Sequence, residues 1–200
     1  YPDDAQTVEA VLRNVDSALF KAKSSGRGGF AFYDQEQTEY ARQRVELIAG
    51  MRHAIDNDQL RVHYQPLHSL ADNCLIGVEA LVRWQHPQRG LVPPGEFIPI
   101  AEDSGMISAI DAWVLEQACR QMVAWRNAGH ALQFVAVNIS SRLFSRGELD
   151  QRVAQVLADT GLPAGCLELE VTESAVMDDP DQAQALLERL CNLGAVSYTH

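Results

Sequence analysis

Apolar residues recur along this chain at two spacings, and the changes of spacing mark its elements. Val8, Val11, Leu12, Val15, Leu19 and Ala22 fall mostly three or four apart, which predicts one apolar face of a helix. Gly26, Gly28 and Gly29 break that pattern, and the short apolar run 30–33 predicts a strand. Residues 34–57 are polar and rich in Glu, Gln and Arg, yet Tyr40, Val45, Ile48, Met51 and Ile55 keep helical spacing, so this stretch predicts a linker helix. The apolar runs 60–66, 75–84, 134–140 and 167–172 predict strands. Among the helices between the later strands, 107–129 places Ile110, Val114, Leu115, Ala118, Met122 and Trp125 on one face, and 149–160 and 181–193 repeat that period over shorter lengths.

Strands alternating with helices predict a parallel α/β sheet or barrel. The first two strands are the exception. The interval carrying Ala71, Asp72 and Asn73 is too short for a helical crossover, so that pair should be antiparallel. A lone helix such as the N-terminal one does not hold its fold without partners. The chain therefore reads as starting inside a domain, with a boundary near residue 35.

Composition narrows the partners. With 16 basic and 27 acidic residues the net charge is −11, which argues against non-specific binding to nucleic acid and means that an anionic ligand needs local cations or metal ions. Hydrophobic residues make up 46% of the 200, enough for a packed core, and the length allows one domain or parts of two. Cys74, Cys119, Cys166 and Cys191 lie far apart without a CxxC pair, predicting reduced, mostly buried thiols. The sequence has no apolar run of membrane-spanning length and no signal-peptide pattern at its start, predicting a cytoplasmic segment, with an anchor elsewhere left open.

Strand alternation then singles out a set of polar residues. In the second strand Ile76, Val78, Ala80 and Val82 share one face, and Gly77, Glu79, Leu81 and Arg83 share the other. The third strand sets Val135, Val137 and Ile139 against Asn138 and Ser140, and the fourth sets Leu167, Leu169 and Val171 against Glu168, Glu170 and Thr172. Polar oxygens on one face of three strands can converge at one end of a barrel. Two carboxylates and an amide oxygen are hard donors suited to Mg²⁺ or Mn²⁺. Spacing alone favours the alternative: Glu79 and Glu170 facing solvent, or pairing with Arg83 as structural ions.

The literal residues add a resemblance. The run Gly77-Val78-Glu79-Ala80-Leu81-Val82-Arg83-Trp84-Gln85-His86-Pro87 resembles the signature of EAL domains. Tyr64-Gln65-Pro66 precedes it, and Gly90 to Pro93, Phe97-Ile98-Pro99, Ala101-Glu102, Gly105, Val137-Asn138-Ile139-Ser140 and Leu169-Glu170-Val171-Thr172-Glu173-Ser174 follow in that family's order. Upstream, Tyr1-Pro2-Asp3-Asp4, Val15 to Lys23 and Gly26-Arg27 are similar to the last helix and turn of a GGDEF domain.

The resemblance implies the tail of a GGDEF domain over 1–35, a linker helix over 36–57 and the N-terminal half of an EAL domain over 58–194. The fold implied is a partial TIM-like barrel with an antiparallel first strand, hydrolysing cyclic-di-GMP to linear pGpG with two divalent cations, Mg²⁺ or Mn²⁺. Glu79, Asn138 and Glu170 are implied as metal ligands, with Glu79 and Glu173 catalytic and Glu173 anchoring a loop. Gln65, Leu81 and Arg83 are implied to line the substrate groove. Lys23 and Arg27 match phosphate-contacting positions of GGDEF domains, or simply close a helix. Glu168 and His86 match no catalytic position and are read as structural. A homodimer through the EAL domain is expected. Two other functions stay open: a non-catalytic receptor for cyclic-di-GMP, and an interaction module that dimerises through the linker helix.

The resemblance stops after Gly194. There the family continues into a strand ending in paired aspartates, with a lysine and a glutamate further on, whereas this chain reads Ala195-Val196-Ser197-Tyr198-Thr199-His200. Residues 195–200 are therefore expected to be foreign to the domain, and the 200-residue piece is expected to be inactive without the second metal's aspartates.

Overall fold

The computed structural model describes residues 7–24, 32–33, 44–145, 147–177 and 179–199. The chain divides into two compact units, Tyr1–Ala49 and Gly50–His200. In the first, helix α1 (Val8–Ser24) forms where the apolar period predicts it, and the Thr7 hydroxyl accepts from the Ala10 N–H to close its start. Phe32 and Tyr33 are not in a strand, and the rest of the strand expected over 30–33 lies outside the described residues. Helix α2 covers 44–51, inside the expected linker helix, while 52–58 turn instead of continuing it and 34–43 lie outside the described residues.

The second unit is built on a sheet in which β1 (Leu60–His68), β2 (Leu75–His86), β4 (Phe134–Ile139), β5 (Leu167–Val171) and β6 (Val196–Thr199) lie side by side in that order, with β3 (Gly90–Val92) pairing the far end of β2. Strands β1 and β2 pair antiparallel, as the short interval between them requires. Strands β4 and β5 continue parallel to β2, and β6 adds parallel to β5. A Cβ on Gly77 would lie 2.7 Å from the Phe134 ring, so only glycine lets β2 and β4 begin their pairing there.

One face of the sheet is covered by helices. Helix α4 (Ile107–Asn127) lies against β1, β2 and β4, and its Ile110, Val114, Leu115, Ala118 and Met122 are buried. Tyr64 on β1 meets Trp125 of α4 edge to face at 4.7 Å. Helix α6 (Leu149–Thr160) packs on α4, and α8 (Pro180–Leu193) packs on α6. On the covered face Val78, Ala80, Val135, Val137, Ile139, Leu167, Leu169 and Val171 are all at most 6% exposed, which is the core the alternation predicts.

Several short elements escape that alternation. Strand β3 and helices α5 (Ser141–Phe144) and α7 (Glu173–Met177) carry too few residues to display a period, whereas helix α3 (Pro94–Ser104) shows helical spacing in its buried Phe97, Ile100 and Ala101. Pro94 stands in the first turn, where a missing N–H costs nothing, and the helix stops at Gly105 with φ 78°. The His86 Nδ1 accepts from the N–H groups of Gln88 and Arg89 in the turn into β3, and its ring meets Trp84. The cysteines form no disulfide among the described residues. Cys119 and Cys166 are buried, but Cys74 and Cys191 are exposed, correcting the expectation of mostly buried thiols.

Candidate functional site

The face of the sheet away from the helices carries the polar residues, and the strand register decides which of them meet. Glu79 on β2 stands opposite Gln65 on β1 and Ala136 on β4, and Ala136 stands opposite Glu168 on β5. One step further along, Asn138 stands opposite Glu170. Asn138 crosses between the two rows: its Nδ2 donates to Glu79 Oε1 at 2.7 Å, joining side chains from neighbouring strands that are 59 positions apart in the chain. Glu79 and Glu170 are half-buried and Asn138 is exposed, so the donors sit at a surface open to a ligand.

Leu81 and Arg83 follow Glu79 on the same face of β2. Arg83 is half-buried, and its guanidinium donates to the Val82 carbonyl at 2.8 Å. Beside them lies a cavity of about 280 Å³ whose walls include Leu81, Arg83, Asn138, Glu170, Thr172 and Asp111. Glu173 opens α7 immediately after β5 and is exposed; it does not line that cavity. Lys23 lies on α1 in the other unit, and Arg27 falls outside the described residues.

The electrostatics separate the two glutamates of β5. Burial, and then the neighbouring charge of Glu170, push the Glu168 carboxyl above the usual carboxylate range. Asp111 was missed by the strand-based reasoning. It lies on α4, is 7% exposed, and burial pushes its carboxyl up to about 6 against the lowering effect of hydrogen bonds from Ser140. The available signal was its place in the apolar stripe, four residues after Ile107 and four before Leu115, where a carboxylate has no reason to be unless it has partners.

Among the described residues no three His, Cys, Asp or Glu side chains lie close enough to hold a metal ion by themselves. Glu79, Asn138 and Glu170 offer oxygen donors alone, a donor chemistry that suits hard cations such as Mg²⁺ or Mn²⁺ better than a soft metal. The Asn138 amide turns its NH₂ toward Glu79, and its oxygen is the group's remaining acceptor.

The EAL domain family model matches residues 49–196. The chain is 42% identical to the bifunctional diguanylate cyclase/cyclic di-GMP phosphodiesterase MucR of Pseudomonas aeruginosa over 97% of its own length and 28% of that protein's. It is 43% identical to the cyclic di-GMP phosphodiesterase NbdA of the same organism, over 97% of this chain and 25% of the relative. It thus spans about a quarter of the length of these curated relatives. Among solved structures, PaMucR phosphodiesterase in its c-di-GMP complex matches with a TM-score of 0.73 and 43% identity, over 76% of this chain and 62% of that one. The Xanthomonas citri FimX EAL domain in complex with c-diGMP matches with a TM-score of 0.68 and 28% identity, over 82% and 62%.

Proposed function

We propose that this chain, which belongs to the EAL domain family, supplies the Glu79–Asn138–Glu170 side of a site that hydrolyses cyclic-di-GMP to linear pGpG. The observation that carries this reading is the convergence on one open sheet face of Glu79, Asn138 and Glu170, with Arg83 beside them at a cavity. In the reaction a water oxygen bonds to phosphorus, one P–O3′ bond breaks, and the departing 3′ oxygen takes up a proton. The chemistry a bound Mg²⁺ or Mn²⁺ supplies here is acidification of a water and screening of the phosphate charge.

The chain's own residues do the rest. Glu79, Asn138 and Glu170 provide the oxygen donors, and the half-burial of the two carboxylates sharpens their attraction for a cation. Arg83 presents a planar fork of donors to a phosphate oxygen, and Gln65 and Leu81 border the groove on either side of Glu79. Glu173, at the start of α7, anchors the segment after β5 rather than binding metal.

Residues 1–35 are assigned on the same reading to the tail of a GGDEF domain, with Lys23 and Arg27 as phosphate contacts. Support comes from the match to MucR, which extends over 97% of the chain and so beyond the EAL region at 49–196. The EAL half pairs with a second copy of itself. The deciding experiment is chromatographic detection of pGpG from cyclic-di-GMP by the full-length protein with Mg²⁺ or Mn²⁺. Glu79→Ala should abolish turnover with the fold intact, and unchanged turnover in that variant would overturn the assignment.

A further inference from the structure

One buried carboxylate beside this site is a group that the proposed chemistry does not use. Asp111 is buried in the helix layer, among residues a packed core would fill with hydrocarbon. Burying a carboxylate is unfavourable unless hydrogen bonds offset it, and an apolar side chain in such a place is often no less stable. All of Asp111's described bonds go to one residue. Oδ2 accepts from both the backbone N–H of Ser140, at 3.1 Å, and its hydroxyl, at 2.5 Å.

Ser140 is itself a junction. It follows the last residue of β4 and stands before α5, in extended conformation, with its hydroxyl accepting from the Leu143 N–H at 3.3 Å. Its hydroxyl proton therefore goes to Asp111 while its lone pair caps the next turn. Asn138 lies two residues upstream, on the strand that Ser140 terminates. Asp111, Ser140 and Asn138 all contribute to the wall of the same cavity, together with Glu170. The exit of β4 is thus tied to α4 by one carboxylate, and the strand cannot slide or roll at Asn138 without breaking both bonds.

We propose that Asp111 is a positioning residue: through Ser140 it fixes the end of β4 so that Asn138 meets Glu79 and Glu170. This rests on the reading of those three residues as a divalent-cation site. What matters is an acceptor of the right shape at position 111, not its charge alone. An amide oxygen can take the same two hydrogen bonds, whereas a hydrocarbon of similar size can take neither.

The test is Mn²⁺ affinity of the full chain, measured by calorimetry without turnover. Asp111→Leu should bind Mn²⁺ about ten-fold more weakly or worse, as loss of a group that orients a ligand does. Asp111→Asn should restore affinity to within about three-fold of the parent, since it keeps the acceptor. Parent-like affinity in Asp111→Leu overturns the proposal, and so does an equal loss in both variants. Should Asp111→Leu fail to fold, Ser140→Ala removes the hydroxyl bond alone and should still weaken Mn²⁺ binding several-fold; unchanged affinity there overturns it too. Glu79→Ala is the control for the underlying reading: parent-like binding in that variant sinks the cation site itself, whereas loss in Glu79→Ala with no effect at 111 and 140 sinks only the role of Asp111.

Discussion

The two faces of one strand, β5, do different work. Leu167, Leu169 and Val171 point into the helix layer and are at most 1% exposed, while Glu168 and Glu170 point the other way and stay half-buried. The first set is packed core; of the second, Glu170 lines the cavity and Glu168 does not. Because side chains alternate with a period of two, one sequence of five residues puts core positions on one face and polar positions on the other. Stability and activity should therefore be separable residue by residue along this sheet.

The largest separation is expected at Glu79. Its replacement by Ala should remove turnover while the denaturation midpoint stays close to the parent's, because the side chain contributes polar surface and not core. Loss of fold in that variant would mean the polar face also carries stability, and would break the comparison. The converse is Leu169→Ala on the covered face. Deleting a fully buried Leu costs about 2–5 kcal/mol, read from urea unfolding, and any surviving folded protein should keep its Mn²⁺ affinity.

These faces were legible in the sequence because period-two alternation needs only a few residues to show itself and both β2 and β5 display it cleanly. The antiparallel first pair was legible from the length of one loop. Helix α3 was not read from the sequence, although Phe97, Ile100 and Ala101 keep helical spacing and Pro94 suits a helix start. Asp111 was hidden for a different reason. Its partner Ser140 lies 29 positions away, on an element that pattern alone could not dock against α4. Register was likewise invisible: alternation put Glu79, Asn138 and Glu170 on a common face, but only the folded structure sets Asn138 opposite Glu170 and within hydrogen-bond distance of Glu79.

Asp111 gives the next effect in size, and it has a definite sign. Its folded-state pKa, about 6, lies above the ordinary carboxylate value of 3.8, so the folded chain holds a proton there that the unfolded chain has already lost. The contribution from this group is fully present below about pH 4 and is lost as pH rises through about 6, a fall of about 3 kcal/mol at most. Other carboxylates titrate across the same range, so the measurement is a difference. Unfolding free energies of the parent and Asp111→Asn, taken from pH 4 to pH 7, should diverge in favour of Asn as pH rises. Parallel curves would mean Asp111 is better solvated than its burial indicates.

The smallest effect tests whether the polar face is uniform. Glu168 and Glu170 share it, yet only Glu170 stands opposite Asn138, whereas Glu168 stands opposite Ala136 and meets no described side-chain partner that would make its charge useful. Its carboxyl is held above the usual range by burial and by the charge of Glu170, so ionisation at neutral pH works slightly against the fold. Glu168→Gln removes that repulsion without changing shape. The denaturation midpoint at neutral pH should rise slightly, the gain should shrink as pH falls and the parent's own carboxyl takes its proton, and Mn²⁺ affinity should stay near the parent's. Glu170→Gln, two positions along the same strand, should instead weaken Mn²⁺ binding, because the proposed cation site uses that charge. If both substitutions cost the same affinity, the face acts as one acidic surface and the register between Asn138 and Glu170 has no special part in it.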